Sequence, residues 1–238
     1  MKASRALLAT LAGAQIAYGR LPGERGAGAT RALVLLMLGT SATEAAEARG
    51  ARPVAAAGAI GFAAELAGVA TGRPFGHYHY SAKLGARVGG VPLLAGAAWA
   101  MMARPSWVAA GWIVPRRLPR VALAAAALTA WDVFLDPRMA REGYWTWPGG
   151  GRYEGIPASN FLGWWVTGLG VFGVWSLLEP DAPDARDDGA LALYAWTWLG
   201  ETFANAALWR RPRVAAAGAL AMGAVAVPAL RRRFGGRR

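Results

Sequence analysis

Residues 130–147 read AWDVFLDPRMAREGYWTW and carry Asp132 and Asp136 out of an apolar helix into an aromatic-rich segment. Four residues apart on a helix, the two side chains project from one face. Inside a membrane neither acid can face lipid, because an ionised carboxylate in hydrocarbon is strongly disfavoured. Both must face a protein interior or a wet cavity, where one of them can hold a transferable proton. Proton chemistry within a membrane is the reading this stretch opens.

Composition supports the membrane premise. Hydrophobic residues fill 55% of the 238 positions and charged residues only 17%, which is apolar for a soluble domain. Apolar stretches of roughly 18 to 20 residues, enough to cross a bilayer, recur along the chain. The expected spans are residues 4–19, 31–48, 54–72, 84–103, 118–136, 156–178, 191–209 and 214–230. The fold class is therefore all-α, a polytopic transmembrane bundle of seven or eight spans forming one integral membrane domain over residues 1–238. Residues 106–114, bounded by Pro105 and Pro115, are too short to span and read as an interfacial or re-entrant element. The first segment begins with Lys2 and Arg5 but has no clean small-residue cleavage site, so it reads as a retained span.

The net charge of +12 comes from arginines scattered through short loops, the pattern of lipid-headgroup contacts, and points to no nucleic-acid partner. Lys and Arg are almost evenly divided between the two sides. The cluster Arg231, Arg232, Arg233, Arg237 and Arg238 favours a cytoplasmic C-terminus. The chain has no cysteine, which excludes disulfides, thiolate metal sites and cysteine nucleophiles. The acidic stretch 179–188, EPDAPDARDD, has the composition of an exposed connector. Alanine-rich runs at 122–127 and 215–219 suit close helix packing.

Two connections are chemically richer: residues 72–83, GRPFGHYHYSAK, and residues 137–157, PRMAREGYWTWPGGGRYEGIP. An eight-span topology puts both on one side of the membrane. Glu65 precedes the first by about two turns and is either a functional acid or a structural partner. His77 and His79 flank Tyr78. They are open to three readings: metal ligands completed by a carboxylate, a proton-relay or substrate-positioning role, or an aromatic belt with polar tips. Tyr144, Trp145, Trp147, Tyr153, Trp164 and Trp165 surround the second connection, and the chain holds 12 tryptophans. Such rings anchor at an interface. They also stabilise a carbocation, by about 0.5 to 2 kcal/mol per ring. Asn160 either caps the sixth span or orients a carboxylate or water. Glu201 and Asn205, one turn apart, offer a second polar face, while Glu44 and Glu47 fall toward the opposite surface. GGVPLLAG and WPGGGRYEG lack the strand–turn–helix context of nucleotide-binding loops. The inventory points to cofactor-free acid–base chemistry on an apolar, bilayer-dissolved substrate.

The segments GRPFGHYHYSAKLGARVGGVPLLAGAAW, AWDVFLDPRMAREGYWTW and GRYEGIPASNFLGWW resemble the membrane carotenoid-biosynthesis family that includes bisanhydrobacterioruberin hydratase and γ-carotene 1′,2′-hydratase. The likeness is close over residues 65–165 and otherwise rests on hydropathy. It implies a carotenoid hydratase that adds water, without a cofactor, to the terminal double bond of an acyclic ψ-end group. It also implies a lipid-dissolved carotenoid as partner, association with other carotenoid enzymes, and a prokaryotic cell membrane as location. In that reading Asp132 or Asp136 donates the proton, and the other acid or Glu65 holds the water. His77, Tyr78, Tyr80, Tyr144, Trp145, Trp147, Asn160 and Trp164 line the substrate pocket. A carotenoid end-group cyclase, which uses the same cation without water, and a proton-coupled transporter remain the alternatives.

Overall fold

The computed structural model describes residues 2–21 and 26–236; Arg237 and Arg238 of the C-terminal cluster lie outside them. The described residues form eight long helices: α1 (Ala3–Gly19), α2 (Ala27–Ala48), α3 (Arg52–Thr71), α4 (Leu93–Ile113), α5 (Arg117–Arg141), α6 (Ala158–Leu178), α7 (Asp188–Phe203) and α8 (Pro212–Phe234). Four two-residue strands accompany them: β1 (His79–Tyr80), β2 (Arg87–Val88), β3 (Val91–Pro92) and β4 (Trp145–Thr146). The helices run alternately up and down. Tyr18 at the end of α1 meets Thr30 at the start of α2, while Ser4 at the other end meets Glu47. The fold is all-α, as the hydropathy pattern requires.

Helix α4 is the axis, buried without a break from Trp99 to Gly111 and touched by α2, α3, α5, α7 and α8. Small residues set the closest crossings. A Cβ on Gly96 would lie 3.1 Å from the Gly58 carbonyl oxygen, and one on Gly168 would lie 3.0 Å from Ala125 Cβ. This is the backbone-to-backbone packing that replaces the hydrophobic drive where lipid surrounds a bundle.

Four helices, α3, α5, α6 and α8, are long and apolar enough to cross a membrane; the expected seven or eight are not reached by that measure. Helices α1 and α7 have 17 and 16 residues. The last turn of α7 passes into a π turn at Ala204–Leu208.

Three sequence expectations are corrected. Residues 106–114 are the second half of α4, not a re-entrant piece: Pro105 sits inside the helix, whose enclosure by other helices tolerates the missing N–H. The fourth span does not begin at residue 84. Gly89 and Gly90, at φ +56° and +84°, turn β2 back onto β3. Such a two-residue turn requires positive φ at both positions, a conformation open to glycine, and the helix starts only at Leu93. Finally, α5 does not stop at Asp136. It passes through Pro137 to Arg141, and the Val133 carbonyl freed by that proline accepts a 3.0 Å hydrogen bond from the Tyr153 hydroxyl.

One end of the bundle is closed by ion pairs. The guanidinium of Arg104, wholly buried, binds Glu44, Glu179 at 3.2 Å and Asp187 at 2.8 Å. Arg49 reaches Asp187 at 2.8 Å and Asp184 at 3.2 Å. Arg120 stacks 3.7 Å from the Trp107 ring and donates to the Asp181 carbonyl at 2.7 Å. Residues 179–188 are thus only partly an exposed connector: Glu179 and Asp187 turn inward because buried arginines await them.

Candidate active site

The opposite end gathers the acids. Asp132 and Asp136 occupy one face of α5, and Pro157 starts α6 so that Asn160 falls in its first turn, 2% exposed. The Asn160 amide nitrogen divides its two protons between the carboxyls, donating to Asp132 Oδ2 at 3.0 Å and to Asp136 Oδ2. Its side chain makes no capping bond. Asp136 Oδ1 accepts from the Trp145 indole N–H at 3.0 Å. Asp132 Oδ1 is buried with no hydrogen-bond donor, and both carboxyl groups share the Asn160 amide. An ionised carboxylate can only accept, so that oxygen has no partner unless its group carries a proton.

Glu65 completes the acidic group from α3. Its Oε2 accepts from the hydroxyls of Tyr78 and of Tyr80, the latter at 2.8 Å, and its Oε1 accepts from Trp99 Nε1 at 3.0 Å. Burial first, and the neighbouring Glu65 charge second, push both tyrosine hydroxyls above their ordinary value, so they serve as donors. The two long connections meet here. Strand β1 pairs with β4, setting Tyr80 opposite Trp145 with ring centroids 5.6 Å apart, and Lys83 Nζ ties the turn to the Glu142 carbonyl. The pairing links the Glu65 group to the Asp136 group. Among the described residues no arginine or lysine makes an ion pair with Glu65, Asp132 or Asp136.

Asp136, Asn160 and Glu65 open onto a cavity of about 430 Å³; Asp132 lies behind them. The walls are rings. Trp99 stacks on Trp164 at 4.1 Å and 13°, Trp131 meets Trp164 edge-on at 6.2 Å, and Trp147 lies 5.9 Å from Tyr78. Of the residues singled out from sequence, Tyr78, Tyr80, Trp145, Trp147, Asn160 and Trp164 line this space. Two do not. His77 is exposed and packs over Gly72, outside the cavity, and His79 is exposed on β1. Tyr144 is buried but turns away from the acids, donating to Thr30 Oγ1 at 2.7 Å. Trp99, Trp131 and Phe75 line the cavity and were not picked out as site residues. Trp131 adjoins Asp132 in sequence, the one signal that could have found it. Toward α7 the cavity has a second polar patch, where Arg138 lies 3.6 Å from Glu201 and Asn205 bonds the Glu201 carbonyl at 2.9 Å.

Residues 26–227 match the family of carotenoid biosynthesis proteins. The chain belongs to that family. The match runs from the start of α2 into α8 and takes in every acid of the site. Neither a curated protein nor a solved structure matches the chain. Family membership gives the protein a role in carotenoid biosynthesis, and the four apolar helices fit a membrane protein.

Proposed function

We propose that the protein is a carotenoid hydratase that adds water across the terminal double bond of an acyclic end group. The observation that carries this reading is the cation-free cluster of Glu65, Asp132 and Asp136 facing a cavity walled by tryptophan and tyrosine rings. Negative charge and ring faces, with no cation ion-paired to these three acids among the described residues, complement a substrate that becomes positive as it reacts.

Asp136, which faces the cavity, is the proton donor. Its O–H proton passes to the less substituted carbon of the terminal C=C bond; the π electrons form the new C–H bond and leave the tertiary carbon positive. Trp99, Trp131 and Trp164 hold that cation, each ring contributing about 0.5 to 2 kcal/mol. A water oxygen then bonds the cation and releases one proton to Glu65, whose three donors stabilise its ionised form. That proton returns through water to the acid pair. The sum is alkene plus water giving a tertiary alcohol, with neither cofactor nor net proton consumed. Asp132 and Asn160 position Asp136 and keep the pair sharing one proton. Proton transfer by a placed acid of this kind is worth about 10² to 10⁴ in rate.

The same reading has all eight helices crossing the membrane of a prokaryotic cell as one bundle. Of the four that miss the length or hydropathy measure, α2, α4 and α7 lie against helices that meet it and α1 lies against α2 and α7; α4 is shielded by its neighbours, so Arg104 never meets lipid.

The test is product analysis in a host that accumulates lycopene-type acyclic carotenoid. The wild-type chain is expected to yield a tertiary alcohol heavier by one or two waters, and in deuterated water the new C–H should be C–D. Asp136→Asn should abolish the product while the protein still folds and inserts. A product of unchanged mass carrying a new ring would replace hydration by cyclisation. Recovery of unaltered substrate from folded, inserted protein would overturn the enzymatic reading.

A further inference from the structure

The acid pocket holds one end of a substrate far longer than itself, and a stiff conjugated chain cannot fold back on itself within it. The remainder has to leave the cavity through an apolar opening. On the loop face β1–β4 and the Lys83–Glu142 bond bind the two long connections together. On one flank, however, apolar side chains both line the cavity and stand exposed: Ile16 of α1 at 41%, with Leu199 and Phe203 of α7 at 55% and 60%.

Resting on the membrane and carotenoid reading above, we propose that the gap between α1 and α7 is the portal through which the polyene passes between the bilayer and the acids. Gln15 and Trp196 form the bar across it. Three observations carry this. First, the cavity is continuous from Glu65 and Asp136 to Ile16, Leu199 and Phe203, and an opening rimmed by Ile, Leu and Phe meets hydrocarbon, not water. Second, α1 buries few residues, Ser4, Leu11, Tyr18 and Gly19, and is joined to α2 at its ends by Ser4 to Glu47 at 2.6 Å and Tyr18 to Thr30 at 2.7 Å. Toward α7, among the described residues, one side-chain hydrogen bond crosses the gap, Trp196 Nε1 to Gln15 Oε1 at 2.6 Å. Third, α7 ends beside the gap in the π turn Ala204–Leu208, with Leu208 lying against Gly19. An i to i+5 turn is a weak point in a helix and recurs at functional sites. Helix α1 also lies outside the family-matched residues 26–227.

The chain has no cysteine, which makes a reversible cross-link a clean test. Gln15→Cys with Trp196→Cys, joined by a short bis-methanethiosulfonate linker, ties α1 to α7; reduction frees it, and each preparation is its own reference. Two readouts are taken with lycopene-loaded phosphatidylcholine–phosphatidylglycerol vesicles: polyene uptake by quenching of tryptophan fluorescence, and product mass. Linked protein should take up polyene at least tenfold more slowly and recover on reduction. Uptake unaffected by the linker would overturn the portal, even if the alcohol still forms and the hydratase reading stands. Uptake that responds to the linker while no alcohol ever forms would keep the portal and remove hydration. Should the double variant fail to fold, Leu199→Trp, at an exposed position, should slow uptake by crowding the mouth. Leu177→Trp, 66% exposed on α6 away from the cavity, should not. Equal uptake by the two would also overturn the proposal.

Discussion

Among the described residues each end of the bundle buries three carboxyl groups, and the two trios are treated in opposite ways. Glu44, Glu179 and Asp187 surround Arg104, with Arg49 and Arg120 close by. Glu65, Asp132 and Asp136 are as deeply buried but, among the described residues, receive only neutral donors: two tyrosines, two tryptophans and one asparagine. Burying a charge is tolerable when it is paired and hydrogen-bonded. The first trio meets that condition and can be static. The second does not, and keeps its acids available to gain and lose protons next to a cavity. Burial of an acid is common to structure and chemistry; the absence of a counter-ion separates them.

The largest effect that tests this contrast is on turnover. Asp136→Asn keeps an acceptor for Trp145 while removing the acid, and should lower product formation by about 10² to 10⁴ with little change in melting temperature. Glu44→Gln should do the reverse, leaving turnover of folded protein near wild type while lowering the melting temperature. If both variants lost activity in proportion to their lost stability, the division between the two ends would fail.

Next comes the arginine itself. Arg104→Met removes the cation that Glu44, Glu179 and Asp187 share. Taking one partner from a buried pair strands the others, at a cost of about 3 to 5 kcal/mol. Chemical denaturation of the purified protein would read this as a large shift of midpoint, and a shift near zero would mean that the cluster is not the clasp described above.

Much of this contrast could be seen in the sequence, but unevenly. The acids of the site stood out because carboxylates at four-residue spacing in an apolar helix have few innocent explanations, and Asn160 because it opens the next helix. The helices followed from hydropathy. What escaped depended on partners distant in the chain. Trp99 is one more apolar residue until its indole is seen on Glu65, 34 positions away, and Arg104 is an oddity in α4 until Glu44 and Asp187 arrive from 60 and 83 positions away. Pro137 read as a helix stop because the hydroxyl that rescues its turn belongs to Tyr153. His77 drew notice through its chemistry, but the backbone turn at Gly72 leaves it outside.

Glycines give a matched, smaller test at the two ends. A Cβ on Gly61 would fall 2.1 Å from Trp99 Cγ, and one on Gly111 would fall 2.7 Å from Arg120 Cζ. Alanine gains about 1 kcal/mol over glycine in a helix interior, whereas overpacking costs about 1 to 3 kcal/mol. Trp99 is clamped between Trp164 and Glu65, so the clash should win at Gly61. Gly61→Ala is expected to lose activity beyond its lost stability, because the indole leaves both the cavity wall and Glu65. Gly111→Ala meets the far end of a long side chain and should cost less, with turnover unchanged. Equal activity losses in the two variants would show that the Trp99 position is not special to the site.

The smallest effect is the acid response of the paired end, where Asp187 lies in the connector outside the helices. Burial is the largest single influence on its carboxyl and opposes ionisation. The hydrogen bonds from Arg49 and the Asp184 N–H, with the charge of Arg104, outweigh it and hold the carboxyl below its ordinary 3.8. A group whose folded value is depressed is protonated first in the unfolded chain, so its contribution to stability is complete above the ordinary value and fades as pH falls through the folded one. Thermal stability should therefore be flat in this contribution from neutral pH down to about 4, then decline. Asp187→Asn, which cannot titrate, should start lower at neutral pH because Arg104 and Arg49 lose a counter-ion, and should decline less steeply below that point. Parallel acid profiles for the variant and the wild type would mean that Asp187 does not carry the linkage, and that the paired trio at this end is held by packing more than by charge.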